Sequence, residues 1–139
     1  MSEIYEGLRS AFWLLITFDP DLIEITLRSL QVTLTALVVA SAIALPLGAW
    51  LAVKRFRYRR LTIGVLNALM GLPPVVVGLL VYLHLSRAGP LGFLGLLYTP
   101  TAMIIAQTIL ITPIVAALSR QVLEDLHTEY SEQFRSLCL

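Results

Sequence analysis

Residues 29–53 read SLQVTLTALVVASAIALPLGAWLAV, and the seven that follow, 54–60, read KRFRYRR. The first stretch is 25 residues long and carries no charge. As a helix it would be about 38 Å long, enough to cross a hydrocarbon core of about 30 Å with some tilt. The second stretch packs five cations, Lys54, Arg55, Arg57, Arg59 and Arg60, into seven residues. Burying them at mid-bilayer would cost on the order of 12 kcal/mol. That loop therefore sits in water and pins the end of a span, with Trp50 and Tyr58 as interfacial aromatics.

Working outward, residues 61–86 form a second uncharged run and residues 88–119 a third of 32 residues, too long for one crossing. Its opening, Ala88-Gly89-Pro90-Leu91-Gly92, then Gly95 and Thr99-Pro100, is punctuated as a loop, and Pro100 suits a first helical position. The pattern predicts an all-α membrane protein with spans at 20–53, 61–85 and 100–118. An external loop over 86–99 and a cytoplasmic segment over 119–139 complete it. Asp19 followed by Pro20 reads as an N-cap and first position of the helix that becomes the first span. Within residues 1–18, Ile4, Leu8, Phe12 and Leu15 recur at helical spacing opposite Glu6 and Arg9, as in a helix lying in the membrane interface.

Charge placement sets the orientation. No carboxylate occurs between Glu24 and Glu124, whereas that interval holds eight cations. With the 54–60 loop in the cytoplasm, the N-terminus lies outside and the C-terminus inside a plasma membrane. The chain is 58% apolar, 14% charged and formally +1, which gives no bulk attraction for nucleic acid. One cysteine and two distant histidines supply neither a disulfide nor a metal site, and no glycine-rich phosphate loop is present. His84 has no acid near it in sequence. The expectation is a non-enzyme without cofactor, for which any ATP hydrolysis comes from a partner.

Ala36, Ala40, Ala44, Gly48 and Ala52 form an i, i+4 row of small residues, suited to close helix approach within the chain or between subunits. Pro46, the pair Pro73-Pro74 and Pro113 interrupt the three spans and would leave the carbonyls of Ala42, Leu69, Met70 and Ile109 short of donors. Such breaks mark either transport routes or packing kinks. Asn67, Gln107, Thr108 and Thr112 are the polar side chains that could line a pore; interhelical hydrogen bonding is their other reading.

Beyond Ser119, Leu123, Leu126, Tyr130, Phe134 and Leu137 form an apolar stripe on an amphipathic helix that could lie in a partner's groove. The segment Glu132-Gln133-Phe134-Arg135-Ser136-Leu137-Cys138 resembles the opening of the EAA loop of binding-protein-dependent ABC importer permeases, with Cys138 where that family has glycine. Ser29 to Leu34 and Pro46-Leu47-Gly48 resemble the family's first core helix. Asn67, the run Gly71 to Leu79 and the stretch Ser86 to Gly92 resemble its tungstate branch, with molybdate and sulfate relatives close behind.

The resemblance implies three helices of a type I importer core in a homodimeric channel, served by an external tungstate-binding or other oxyanion-binding protein and two cytoplasmic ABC ATPase subunits. It also makes Leu126, Tyr130, Glu132, Phe134, Arg135, Leu137 and Cys138 the coupling surface for the ATPase. Because the loop stops early and later helices are missing, the expectation is an N-terminal, truncated portion that cannot transport alone. The other reading is a complete three-span interaction or regulatory subunit of another membrane complex.

Overall fold

The computed structural model describes residues 1–137 and contains five α-helices. They are α1 (Ser2–Thr17), α2 (Pro20–Val53), α3 (Arg59–Met70), α4 (Pro74–Leu85) and α5 (Pro100–Leu137), with a 3-10 turn at Gly92–Leu94 before α5. No strand occurs among the described residues. Asp19 caps α2 as its sequence suggests: a side-chain oxygen accepts the Asp21 N–H at 3.0 Å, and Pro20 takes the first position. α1 ends at Phe18, whose φ of 48° turns the chain left-handed into that cap. None of α1 is buried, and Ile4, Leu8 and Phe12 stand open.

The centre of the molecule is the contact between α2 and α5. One face of α2 buries Val32, Ala36, Ala40, Ala44, Gly48 and Leu51; α5 buries Pro113, Ala116 and Ala117. Ala36, Ala40 and Ala44 are fully covered, so the small-residue row is used inside the chain, against α5. Approach is tightest at Gly48, where a Cβ would lie 2.7 Å from the Ala116 carbonyl oxygen and 2.8 Å from Ser119 Cβ. Glycine is required there by space, since its backbone is helical. Leu66 of α3 closes the cluster with Leu51 and Ala116. The opposite face of α2 presents Leu34, Val38, Ile43 and Leu45 outward, a surface suited to lipid.

α2 and α5 are each long and apolar enough to cross a membrane, and α3 with α4 makes a third span only if the bent pair counts as one. Here the structure departs from a single second span over 61–85. α3 and α4 meet at 96°. Each has 12 residues, about 18 Å of helix, too short to cross alone. The cause lies in Pro73 and Pro74. Neither offers an N–H, and each pushes the preceding residue out of the helical region. Pro73 is extended (φ −61°, ψ 137°) and Pro74 opens α4.

The Leu69 carbonyl, expected to lack a donor, accepts from Leu72 N–H at 3.2 Å because the chain turns before the prolines. Pro46 and Pro113, by contrast, sit inside helices that continue through them. The third span and the tail form one helix, unbroken from Pro100 to Leu137. The connection before it folds back on α4: Leu91 N–H reaches the His84 carbonyl at 3.0 Å, and a Cβ on Gly89 would come within 2.7 Å of that same oxygen.

Candidate functional site

The basic loop and its ion pairs gather at the end of the molecule where α2 stops. Lys54 leaves the helix in extended conformation, its N–H still bonded to the Trp50 carbonyl at 2.9 Å. The chain then turns so that Phe56 stacks on Trp50, ring centroids 4.7 Å apart. This turn delivers Arg59 back to α2, where its Nε donates to the Leu51 carbonyl at 2.9 Å. The acceptor is one of the last carbonyls of α2, at the negative end of the helix dipole. The same guanidinium pairs through Nη2 with Glu124, whose other oxygen takes Nη1 of Arg120. The first acid after Glu24 thus ties the basic loop to α5 and carries two guanidiniums.

Arg59 departs from the expectation that all five loop cations stand in water: its side chain is only 26% exposed, whereas Lys54, Arg55, Arg57 and Arg60 are exposed. Sequence reading missed the Arg59–Glu124 pair because nothing in a linear pattern joins positions 65 apart. The signal available was the isolation of Glu124 in a long acid-free interval. Arg120 is more covered still, and its Nε has no partner.

Gly48 meets Ala116, and Leu51, three residues later, is linked through Arg59 to Glu124, further along α5. The two long helices therefore run the same way, and the basic loop and the tail emerge at one end of the molecule.

Past Glu124, α5 leaves the bundle. Exposure along its apolar stripe climbs from 38% at Leu123 through 42% at Leu126, 57% at Tyr130 and 65% at Phe134 to 80% at Leu137. Glu132 and Arg135 are exposed on the same segment. Cys138 lies outside the described residues. Its outer part, Tyr130, Phe134 and Leu137, is left open by the described residues.

The pore candidates do not converge. Asn67 is exposed on α3. The Thr108 and Thr112 hydroxyls donate to the Ile104 and Thr108 carbonyls of their own helix at 2.7 and 2.6 Å, so neither relieves the Ile109 carbonyl left by buried Pro113. Gln107 alone keeps an unpartnered buried oxygen. The groove between α4 and α5, about 430 Å³, is walled by Leu69, Leu72, Val77, Leu80, Ile105 and Ile109 among others, and none of these four polar residues lines it. His84 borders it with Nδ1 2.7 Å from the Leu80 carbonyl. No group of three or more His, Cys, Asp or Glu side chains able to hold a metal occurs among the described residues.

Residues 44–137 match the model of the binding-protein-dependent transport system inner membrane component family. The chain belongs to that family. The matched segment holds the tight α2–α5 contact, the basic loop, the proline break and the exposed tail in one run. Within this inner-membrane-component family, the chain is 49% identical over 119 residues to the tungstate uptake system permease protein TupB of Peptoclostridium acidaminophilum, covering 86% of this chain and 52% of that protein. It is 34% identical over 130 residues to the TupB of Campylobacter jejuni, covering 94% of this chain and 54% of that one. A probable anion ABC transporter permease protein of Haloferax volcanii is 43% identical over 98 residues, 70% of this chain and 42% of its own length. The chain spans about half the length of these curated relatives. No solved structure matches it significantly.

Proposed function

We propose that this chain contributes to the membrane subunit of an ATP-driven importer for an oxyanion, tungstate being the favoured cargo, and that it hydrolyses nothing itself. Family membership and the names of the relatives support the transport reading. The structural observation that carries it is the tail: a rigid continuation of a membrane helix whose apolar stripe becomes more open the further it runs from the bundle. Leu126, Tyr130, Phe134 and Leu137, flanked by Glu132 and Arg135, form the surface that docks on a cytoplasmic ABC ATPase. An external oxyanion-binding protein delivers cargo, and a second permease copy completes the channel. In this reading the basic loop and the tail face the cytoplasm and α1 lies at the outer surface; the shared end of loop and tail, and the cations concentrated there, support it. Pro73, Pro74, Gln107 and Pro113 mark the stretches of α3–α4 and α5 nearest the translocation path. No observation favours a self-contained interaction subunit.

The test is capture of the importer's ATPase by the tagged chain in detergent. Capture is expected, with loss of tenfold or more on Phe134→Asp as for an interface anchor. No capture by the unaltered chain would sink the docking assignment. Cargo is decided separately, by competition among tungstate, molybdate and sulfate for uptake through the assembled importer.

A further inference from the structure

Between the end of α2, the basic loop and α5 lies a cleft of about 630 Å³. We propose that it binds the phosphodiester headgroup of an anionic phospholipid. Its polar lining includes Arg55, Arg57, Arg60 and His127. Glu124 also lines it, but both its oxygens are held by Arg59 and Arg120. The cleft is therefore an anion receptor whose one acid is already neutralised. The three arginines pair with no carboxylate among the described residues.

The same cleft has an apolar lining from Ala52, Val53 and Phe56. Val53, 78% exposed, is the last residue of a membrane-crossing helix, so this wall continues into the lipid-facing surface of α2. Trp50 and Phe56 stack beside it, where aromatic rings mark the headgroup level. A compact inorganic anion would meet the guanidiniums and leave the apolar wall wet. A phospholipid satisfies both, its phosphate among the arginines and its glycerol and upper acyl chain along Val53 and Phe56. Basic pockets beside helix ends take anionic headgroups by this division of labour. The inference needs only that α2 ends at a bilayer surface, so it stands or falls apart from the transport reading.

Native mass spectrometry of the purified chain in detergent tests it, with palmitoyl-oleoyl phosphatidylglycerol titrated against the phosphatidylcholine of the same chains. Each arginine near the headgroup contributes about fivefold. A preference for phosphatidylglycerol of about twentyfold or more is expected, falling toward parity in R55Q/R57Q and unchanged in R87Q, whose cation lies on the connection after α4. Equal binding of the two lipids would overturn the proposal. So would an equal loss in R87Q, which means diffuse attraction, or displacement of phosphatidylglycerol by inorganic phosphate, which means a free-anion site.

Discussion

Gly48→Ala probes the α2–α5 contact at the point where it leaves no slack. The new methyl carbon would lie 2.7 Å from the Ala116 carbonyl oxygen, 2.8 Å from Ser119 Cβ and 3.2 Å from the Arg120 nitrogen. The first distance falls about 0.8 Å short of the separation at which such contacts become favourable. Ala116 and Arg120 contribute backbone atoms of a continuous helix, so no side-chain rotation relieves the clash; α2 and α5 must separate. Overpacking of this kind costs about 1–3 kcal/mol. Against it stands the gain from replacing glycine inside a helix, about 0.8–1 kcal/mol.

Gly64→Ala in α3 and Gly78→Ala in α4 provide the reference, because a Cβ at either position meets nothing within 4 Å. The gap between Gly48→Ala and these two should be about 1–3 kcal/mol, with Gly48→Ala the less stable. Titration of detergent-solubilised protein with dodecyl sulfate, followed by circular dichroism and by tryptophan fluorescence, measures it. Equal stability of the three variants would show that the helices do not meet at Gly48, and the parallel arrangement built on that contact would fail.

Glu124→Ala leaves two partly covered guanidiniums without their anion and should lower stability in the same titration by about 2 kcal/mol, reduced from the fully buried case because all three side chains keep some water. Arg59→Lys cannot reach both the Leu51 carbonyl and Glu124 with a planar fork, so a loss of about 1 kcal/mol is expected there; full retention would mean that the charge alone matters. The double substitution Pro73→Ala, Pro74→Ala restores two N–H donors and should open the 96° bend, read as a longer distance between spin labels at Thr62 and Leu83. Thr108→Val removes only a hydroxyl bonded within its own helix and should shift stability by less than about 0.5 kcal/mol.

The features legible in the sequence are those written in local pattern. Twenty-five uncharged residues before a run of five cations determine the α2 span and its end, and Asp19-Pro20 determines its start. The small-residue row determines which face of α2 is approached closely, though not by what, since Ala40 would be equally suited to another subunit. The tail's stripe was visible as an amphipathic period. What pattern could not supply is direction and distance. Pro73-Pro74 announces an interruption, but whether a helix kinks slightly or turns through 96° depends on what packs beneath it. Arg59 resembled its four neighbours until the turn through Phe56 brought it beneath Leu51. That the Thr108 and Thr112 hydroxyls bond within their own helix was not legible either, because a sequence lists hydroxyls without their acceptors.

The continuity of α5 bears on how a docked ATPase would act on the membrane segment. From Ile114 to Leu137 the helix contains neither glycine nor proline, so the tail behaves as one rod with its weak point at Pro113, which is buried at the α2 contact. Phe134 lies 21 residues beyond Pro113, about 32 Å along the axis. Glu124 is 11 residues from the same point, about 16 Å. A tilt about Pro113 would therefore displace the proposed docking surface twice as far as the ion-paired junction. Force applied at Phe134 reaches Glu124 with a twofold mechanical advantage. The first bonds to feel it are the two guanidinium pairs on Glu124, and through Arg59 the strain passes to the last turn of α2 and to the basic loop that leads into α3.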